Sequence, residues 1–291
     1  MFVLFTDTDT DMTPSICKEY GYNLISMPYT IDDKEIYPYV DFDEFDGHAF
    51  YQKLREGAMP KTSAISPVQY MEYFEPFFKE GKDILYVHFS AAMSGTFNAM
   101  EIAYKQLKEK YPERTLHTID TKGMTILSYI IVREIGELYL QGKTIEEIKA
   151  WAEKEVDKFA IYLFVEDLSF FKRSGRVKSF VALVGNILKI HPIIHVNEEG
   201  CMVNIDKCRG KNATINKIVE MVKANQEDIK GHRCVVAHTD AFETAKALAD
   251  KLKEELGQDL EIEFVETNPT LGSHAGPDAV GVAFHAKGRK V

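Results

Sequence analysis

The sequence predicts an α/β protein of two domains, with a parallel sheet in the first domain and a mixed α/β sheet in the second. Three observations predict it. Short runs rich in β-branched and aromatic residues alternate with longer helical patterns through the first half. In the second half, two neighbouring strand runs are joined by Asn197-Glu198-Glu199-Gly200, a hairpin-like turn that requires antiparallel pairing. The length, 291 residues, suits two domains at roughly 100–200 residues each.

Taken in order, Phe2–Thr6 reads as the first strand and runs into the polar segment Asp7-Thr8-Asp9-Thr10-Asp11. Asp7, Asp9 and Asp11 read as a strand end and helix cap; with no Gly in the sixth position and no Glu in the twelfth, they do not form an EF-hand. Strands Ile84–Phe89 and Thr115–Ile119 end likewise in polar loops, Ser90–Thr96 and Asp120–Thr125. Ligands of parallel sheets bind beyond the carboxyl ends of the strands, so these three loops are the first candidates for a site.

Ser66-Pro67-Val68-Gln69 combines a capping box with a proline at N1, where no donor is needed. Thr144–Glu147 and Asp240–Glu243 follow the same logic. In the helix Met124–Leu140, Leu127, Ile131, Ile135 and Leu138 recur at three- and four-residue spacing, which predicts burial along one side. The charged helix Trp151–Phe159 ends the first domain, with the boundary near residue 157 (domains 1–157 and 158–291). The second domain has strands at Ile161–Val165, His191–Val196, Cys201–Lys207, Cys234–His238, Glu261–Val265 and Ala279–His285, and helices at Ala213–Asn225 and Ala241–Leu256.

Composition narrows the function classes. Hydrophobic residues make up 45% and charged residues 27%, ordinary globular usage that excludes disordered, collagen-like and coiled-coil chains. The net charge of −10 opposes nucleic-acid binding and stable attachment to anionic lipid, leaving at most transient membrane contact. Four cysteines without C-x-x-C spacing give no zinc or dithiol redox motif. The first residues lack a basic region, and the apolar stretches Ile126–Val132 and Phe180–Ile194 are short or interrupted, so the expectation is a soluble cytoplasmic protein. Walker A, G-x-G-x-x-G and G-x-S-x-G motifs are all absent, and no cofactor or metal is expected.

Four segments carry polar groups that suit an anion. Ser94-Gly95-Thr96 opens a helix, where free N–H groups attract negative charge; Ser94 also reads as a plain N-cap, and the two roles are compatible. Lys61-Thr62-Ser63 offers hydroxyls, although hydroxyls in such loops commonly bond their own backbone. Phe170–Lys178 (FFKRSGRVK) is the one dense basic stretch, either a solvated turn or a surface for an acidic group or partner. His274 lies in the Gly-rich Asn268–Pro277 segment, read as a turn; its ring either makes a structural hydrogen bond or points into a cleft, where its charged form would favour a carboxylate.

Together these segments resemble the DegV family of bacterial fatty-acid-binding proteins. The resemblance rests on Thr6–Asp9, Lys61-Thr62-Ser63, Ser94-Gly95-Thr96, Ser174-Gly175-Arg176 and Gly272-Ser273-His274-Ala275-Gly276-Pro277, in that order along nearly the whole chain. It implies a two-domain DegV-like fold with a long-chain fatty acid in a buried tunnel between or beneath the domains. The carboxylate would be held by Thr62, Ser63, Ser94, Gly95, Thr96 and His274. It implies further that the chain is not itself an enzyme but the binding subunit of a fatty acid kinase system. An ATP-dependent kinase partner would phosphorylate the presented carboxylate to an acyl-phosphate, with Arg173 and Arg176 serving the encounter or the phosphoryl step. The chain departs from the family at Ser174, where a glycine is usual, and at Ala64-Ile65, which replaces Gln-Pro.

The physical requirements agree. Burying about fourteen methylenes at ~0.8 kcal/mol each yields roughly 11 kcal/mol before association costs. A buried carboxylate must meet donors, which hydroxyls, helix N–H groups and a histidine supply. Ile161–Val165 and Phe180–Ile190 are candidate walls. The alternative is an acyl hydrolase with Ser94 as nucleophile and His274 as base, for which no acidic orienter is identifiable.

Overall fold

The computed structural model describes residues 2–178 and 190–290. The first half contains strands β1 (Phe2–Asp7), β2 (Tyr22–Ile25), β3 (Tyr29–Ile31), β4 (Lys34–Ile36), β5 (Lys61–Thr62), β6 (Asp83–His88) and β7 (Leu116–Asp120). Its helices are α1 (Pro14–Tyr20), α2 (Gly47–Arg55), α3 (Pro67–Lys79), α4 (Thr96–Lys110), α5 (Thr125–Leu140) and α6 (Ile145–Glu155). The second half contains β8 (Phe159–Phe164), β9 (Val177–Lys178), β10 (Ile190–Val196), β11 (Met202–Arg209), β12 (Cys234–His238), β13 (Ile262–Glu266) and β14 (Val280–His285), with helices α7 (Leu168–Ser174), α8 (Lys211–Asn225), α9 (Phe242–Leu256) and α10 (Pro269–Ala275).

The first sheet is parallel throughout, in the order β2-β1-β6-β7. The second, β13-β12-β14-β8-β10-β11-β9, is mixed as expected: β12 runs parallel to β13 and β11 to β9, and the remaining pairs are antiparallel. The expected Asn197–Gly200 turn forms, with Gly200 at φ +75° and its N–H donating to Asn197 O at 2.9 Å. A small third sheet, β4-β3-β5, has strands of two or three residues, too short to show a period of two.

Two of the three predicted capping boxes form. Ser66 with Gln69 starts α3, and Thr144 with Glu147 starts α6. The third does not: α9 starts without a side-chain cap, because the Asp240 carboxylate is taken by Arg55 and His48. Helix α5 also differs from expectation. Every residue from Thr125 to Val132 is buried, rather than one stripe, because the helix lies between the sheets and packs on β6 of the first and on β8, β12 and β14 of the second.

Arg289 ties the end of the chain to the first half. Fully buried, it donates to the carbonyls of Phe159, Lys122 and Val156 at 2.6 Å each and of Thr121 at 3.2 Å. Among the described residues no helix is long and apolar enough to cross a membrane.

Candidate functional site

The three loops at the carboxyl ends of β1, β6 and β7 converge on one cavity of about 160 Å³. The first supplies Asp9; the second Met93, Ser94 and Gly95; the third Met124 and Thr125. The opposite wall comes from Thr62 and Ser63 beside β5, from Arg176 after α7, and from Thr270, Leu271 and His274 of α10. Met27, Phe89 and Met202 complete much of the apolar lining. Methionine and phenylalanine there supply adaptable apolar surface beside the polar groups.

Helix α10 is where the Gly-rich segment departs most from its reading as a turn. Asn268 caps it by accepting the Leu271 N–H at 3.0 Å, and Pro269 occupies the first turn. His274 therefore projects from a short helix. Its Nε2 lies 3.0 Å from the Thr62 hydroxyl, 212 residues away in sequence. Burial, with Arg176 and Arg173 nearby, pushes the imidazole down to about 4. At that value the ring of the ligand-free protein is neutral at physiological pH. A neutral histidine still donates one hydrogen bond.

The remaining candidate residues divide. Ser94 is not the N-cap of α4; that position is Gly95, which has no side chain to cap with. The Ser94 hydroxyl accepts the Thr96 N–H at 3.2 Å. A Cβ on Gly95 would meet no described atom within 4 Å, so packing does not impose the glycine. Thr96 does not line the cavity: it is buried, with its hydroxyl 3.1 Å from the Tyr70 hydroxyl. The Ser63 N–H donates to Pro28 O at 3.1 Å, fixing the loop that presents Thr62.

Arg176 reaches the cavity wall, and its guanidinium donates to Ser174 O at 2.5 Å. Arg173 stays outside, with its guanidinium 4.8 Å from the Phe170 ring centre and against the Met59 sulfur. Phe170 and Phe171 are buried, so the aromatics of the basic stretch belong to the core rather than to a docking surface. At the departure from the family pattern, the Ser174 hydroxyl donates to Phe171 O at 2.8 Å, and Gly175 at φ +66° makes the turn.

The acidic run does more than end a strand. Asp7 accepts the Tyr86 hydroxyl at 2.9 Å and the N–H groups of Asp9 and Phe89. Asp11 accepts the Asn268 N–H at 2.9 Å and the Asn268 side-chain amide at 2.5 Å on one oxygen, and the Thr125 hydroxyl on the other. Burial raises all three carboxyls: Asp7 well above the usual range, Asp9 to about 7 and Asp11 to about 6. Sequence reasoning missed Asp11 and Asn268 as joint supports of α10, since 257 residues separate them. Among the described residues no group of three or more His, Cys, Asp or Glu could hold a metal ion.

A second, mainly apolar cavity of about 20 Å³ adjoins the first, lined by Ile126, Ile161, Leu163, Ala275, Ala279 and Val280 among others. Ile161 and Leu163 belong to an expected wall; of the other, residues 180–189 lie outside the described residues.

These features define an α/β protein whose loops at the ends of a parallel sheet, closed over by the second half of the chain, line a cavity of mixed polar and apolar character. The family described as "Uncharacterised protein, DegV family" matches residues 1–287, and the chain belongs to the DegV family. A DegV domain-containing protein of Clostridium perfringens is 33% identical over 284 residues, covering 97% of each chain. A solved structure described as a fatty acid binding DegV family protein from Streptococcus agalactiae superposes with a TM-score of 0.84 at 25% identity, covering 99% of each chain. A stearic acid-binding protein of Eubacterium ventriosum shares the fold at 18% identity, with a TM-score of 0.85 and 99% of each chain covered.

Proposed function

We propose that the chain binds a long-chain fatty acid, with residues 1–157 and 158–291 closing around it as two domains, and presents the carboxylate to an ATP-dependent kinase partner. The observation that carries this reading is the Thr62–His274 pair, which sets two hydrogen-bonding groups on one wall of a cavity that Met27, Phe89, Met93, Met124, Met202 and Leu271 also line. Ser94 and the backbone at Gly95 add donors on the facing wall. The fatty acids in the names of similar proteins support the same ligand class. A bound carboxylate beside His274 would favour the protonated ring, raising the depressed imidazole pKa and strengthening the contact. Arg176 is exposed at the cavity wall and Arg173 lies farther out; in this reading Arg176 would meet the phosphoryl donor.

In this reading the chain is a carrier rather than a catalyst, and it works in the cytoplasm. The hydrolase alternative finds no support in the hydrogen bonding, since His274 Nε2 pairs with Thr62 rather than Ser94. The test is native mass spectrometry of the purified protein, followed by lipid identification after denaturation. One fatty acid per chain is expected. Thr62→Val should weaken binding about 10- to 100-fold, the worth of one hydrogen bond to a charged group. A protein that stays bare after incubation with palmitate and oleate overturns the reading.

A further inference from the structure

Of the three carboxyls that follow the first strand, two are engaged by donors. Asp7 accepts from Tyr86 and from the N–H groups of Asp9 and Phe89, and Asp11 accepts from Thr125 and twice from Asn268. Asp9 Oδ1 is buried and has no hydrogen-bond partner among the described residues. Thr270 repeats the pattern on α10. Thr267, just before the helix, meets the Tyr51 hydroxyl, and Ser273 donates to Pro269 O at 2.7 Å, whereas Thr270 Oγ1 is buried without a partner. Asp9 and Thr270 line the same cavity of about 160 Å³, beside Met27, Met124 and Leu271. The Thr270 hydroxyl lies close enough to Asp9 to temper the rise of its pKa, yet forms no hydrogen bond to it. A buried polar atom without a partner is costly, so two of them in one cavity suit a bound group that pairs with both. Thr270 precedes His274 by one helical turn, which places the two on one face of α10, about 6 Å apart along its axis.

We infer that Asp9 and Thr270 form a second polar subsite of the cavity, which takes a hydroxyl carried on an acyl chain a few carbons from the carboxylate. The ligand hydroxyl donates to Asp9 Oδ1, which accepts in either protonation state of the carboxyl, and accepts from the Thr270 hydroxyl. The preferred ligand is then a hydroxylated fatty acid. An unsubstituted chain lays methylenes against both oxygens and leaves them unpaired. The inference rests on the fatty-acid reading above, with the carboxylate held at Thr62 and His274.

The experiment is competition native mass spectrometry, in which palmitate is paired in turn with 3-hydroxypalmitate, 5-hydroxypalmitate and 16-hydroxypalmitate, on wild type, Thr270→Val and Asp9→Ala. Wild type is expected to prefer the 3- or the 5-hydroxy acid over palmitate by about 10-fold or more, the worth of one hydrogen bond to a charged group, and to show no such gain for the 16-hydroxy acid. Each variant is expected to lower that preference about 10-fold. The ratio is read within the bound fraction, so a loss of folded protein does not move it; if Asp9→Ala fails to fold, Thr270→Val, which keeps the side-chain shape, decides alone. Wild type that binds palmitate but gains nothing from a 3- or 5-hydroxyl, or a preference that persists in the folded variants, overturns the subsite while leaving the ligand class standing. An equal gain from the 16-hydroxyl overturns its placement beside His274. A wild-type protein that takes up none of these acids overturns the fatty-acid reading and the subsite with it.

Discussion

Replacing Asp11 by asparagine should stabilise the protein at alkaline pH. The carboxyl is buried between α5 and α10 and accepts from Asn268 twice and from Thr125 once. Burial outweighs these donors and lifts its pKa from the ordinary 3.8 to about 6. Between these values the folded chain binds more protons at this site than the unfolded chain, so its contribution to stability falls as pH rises. Below 3.8 both states are protonated and the contribution is complete; above about 6 it has been lost. The gap between the two values corresponds to about 3 kcal/mol. Asparagine keeps an acceptor for Asn268 and turns its amide toward the Thr125 hydroxyl, which can accept. Asp11→Asn should therefore exceed wild type by up to about 3 kcal/mol at pH near 8, with the difference closing toward pH 4. Urea unfolding of both proteins across this range measures it, and titrations of other groups cancel in the comparison. A variant equally destabilised at every pH would show that the ionised carboxylate contributes net stability, and would refute the reasoning.

Two further outcomes follow from buried polar groups. Arg289→Met leaves four backbone carbonyls without their donor, and should cost about 3–5 kcal/mol; a shift in the urea midpoint worth less than ~1 kcal/mol would mean that water or neighbouring N–H groups replace the guanidinium. The His274 ring, held at about 4 against an ordinary 6.5, should remain neutral by NMR of the ligand-free protein throughout the physiological range, and its share of stability should decline as pH drops below 6.5 because the unfolded ring protonates first. Titration near 6.5 would show that burial and the two arginines do not act on it.

Much of the architecture was legible in the sequence because it is local. The alternation that predicted a parallel sheet, the capping boxes at Ser66 and Thr144, and the hairpin at Asn197–Gly200 depend on residues within a few positions of one another. The three polar strand ends marked one side of the cavity for the same reason. Only the tertiary structure decided what depends on distant residues. Asp240 looked like a cap until Arg55, 185 residues away, took its carboxylate. The Asn268–Pro277 segment reads as a turn from its glycines and prolines; as a structure it starts with a helix whose cap, Asn268, is itself held by Asp11 from near the start of the chain. The stripe on α5 became burial on every side because a second sheet covers what a single-sheet protein would leave to solvent. The Thr62–His274 pair is the clearest case: each residue alone suits a loop hydroxyl or a turn histidine, and packing of α10 against β5 brings them to 3.0 Å. Caps and periodicity are short-range and survive in any compact fold, whereas a buried polar group takes its role from whichever partner the fold delivers.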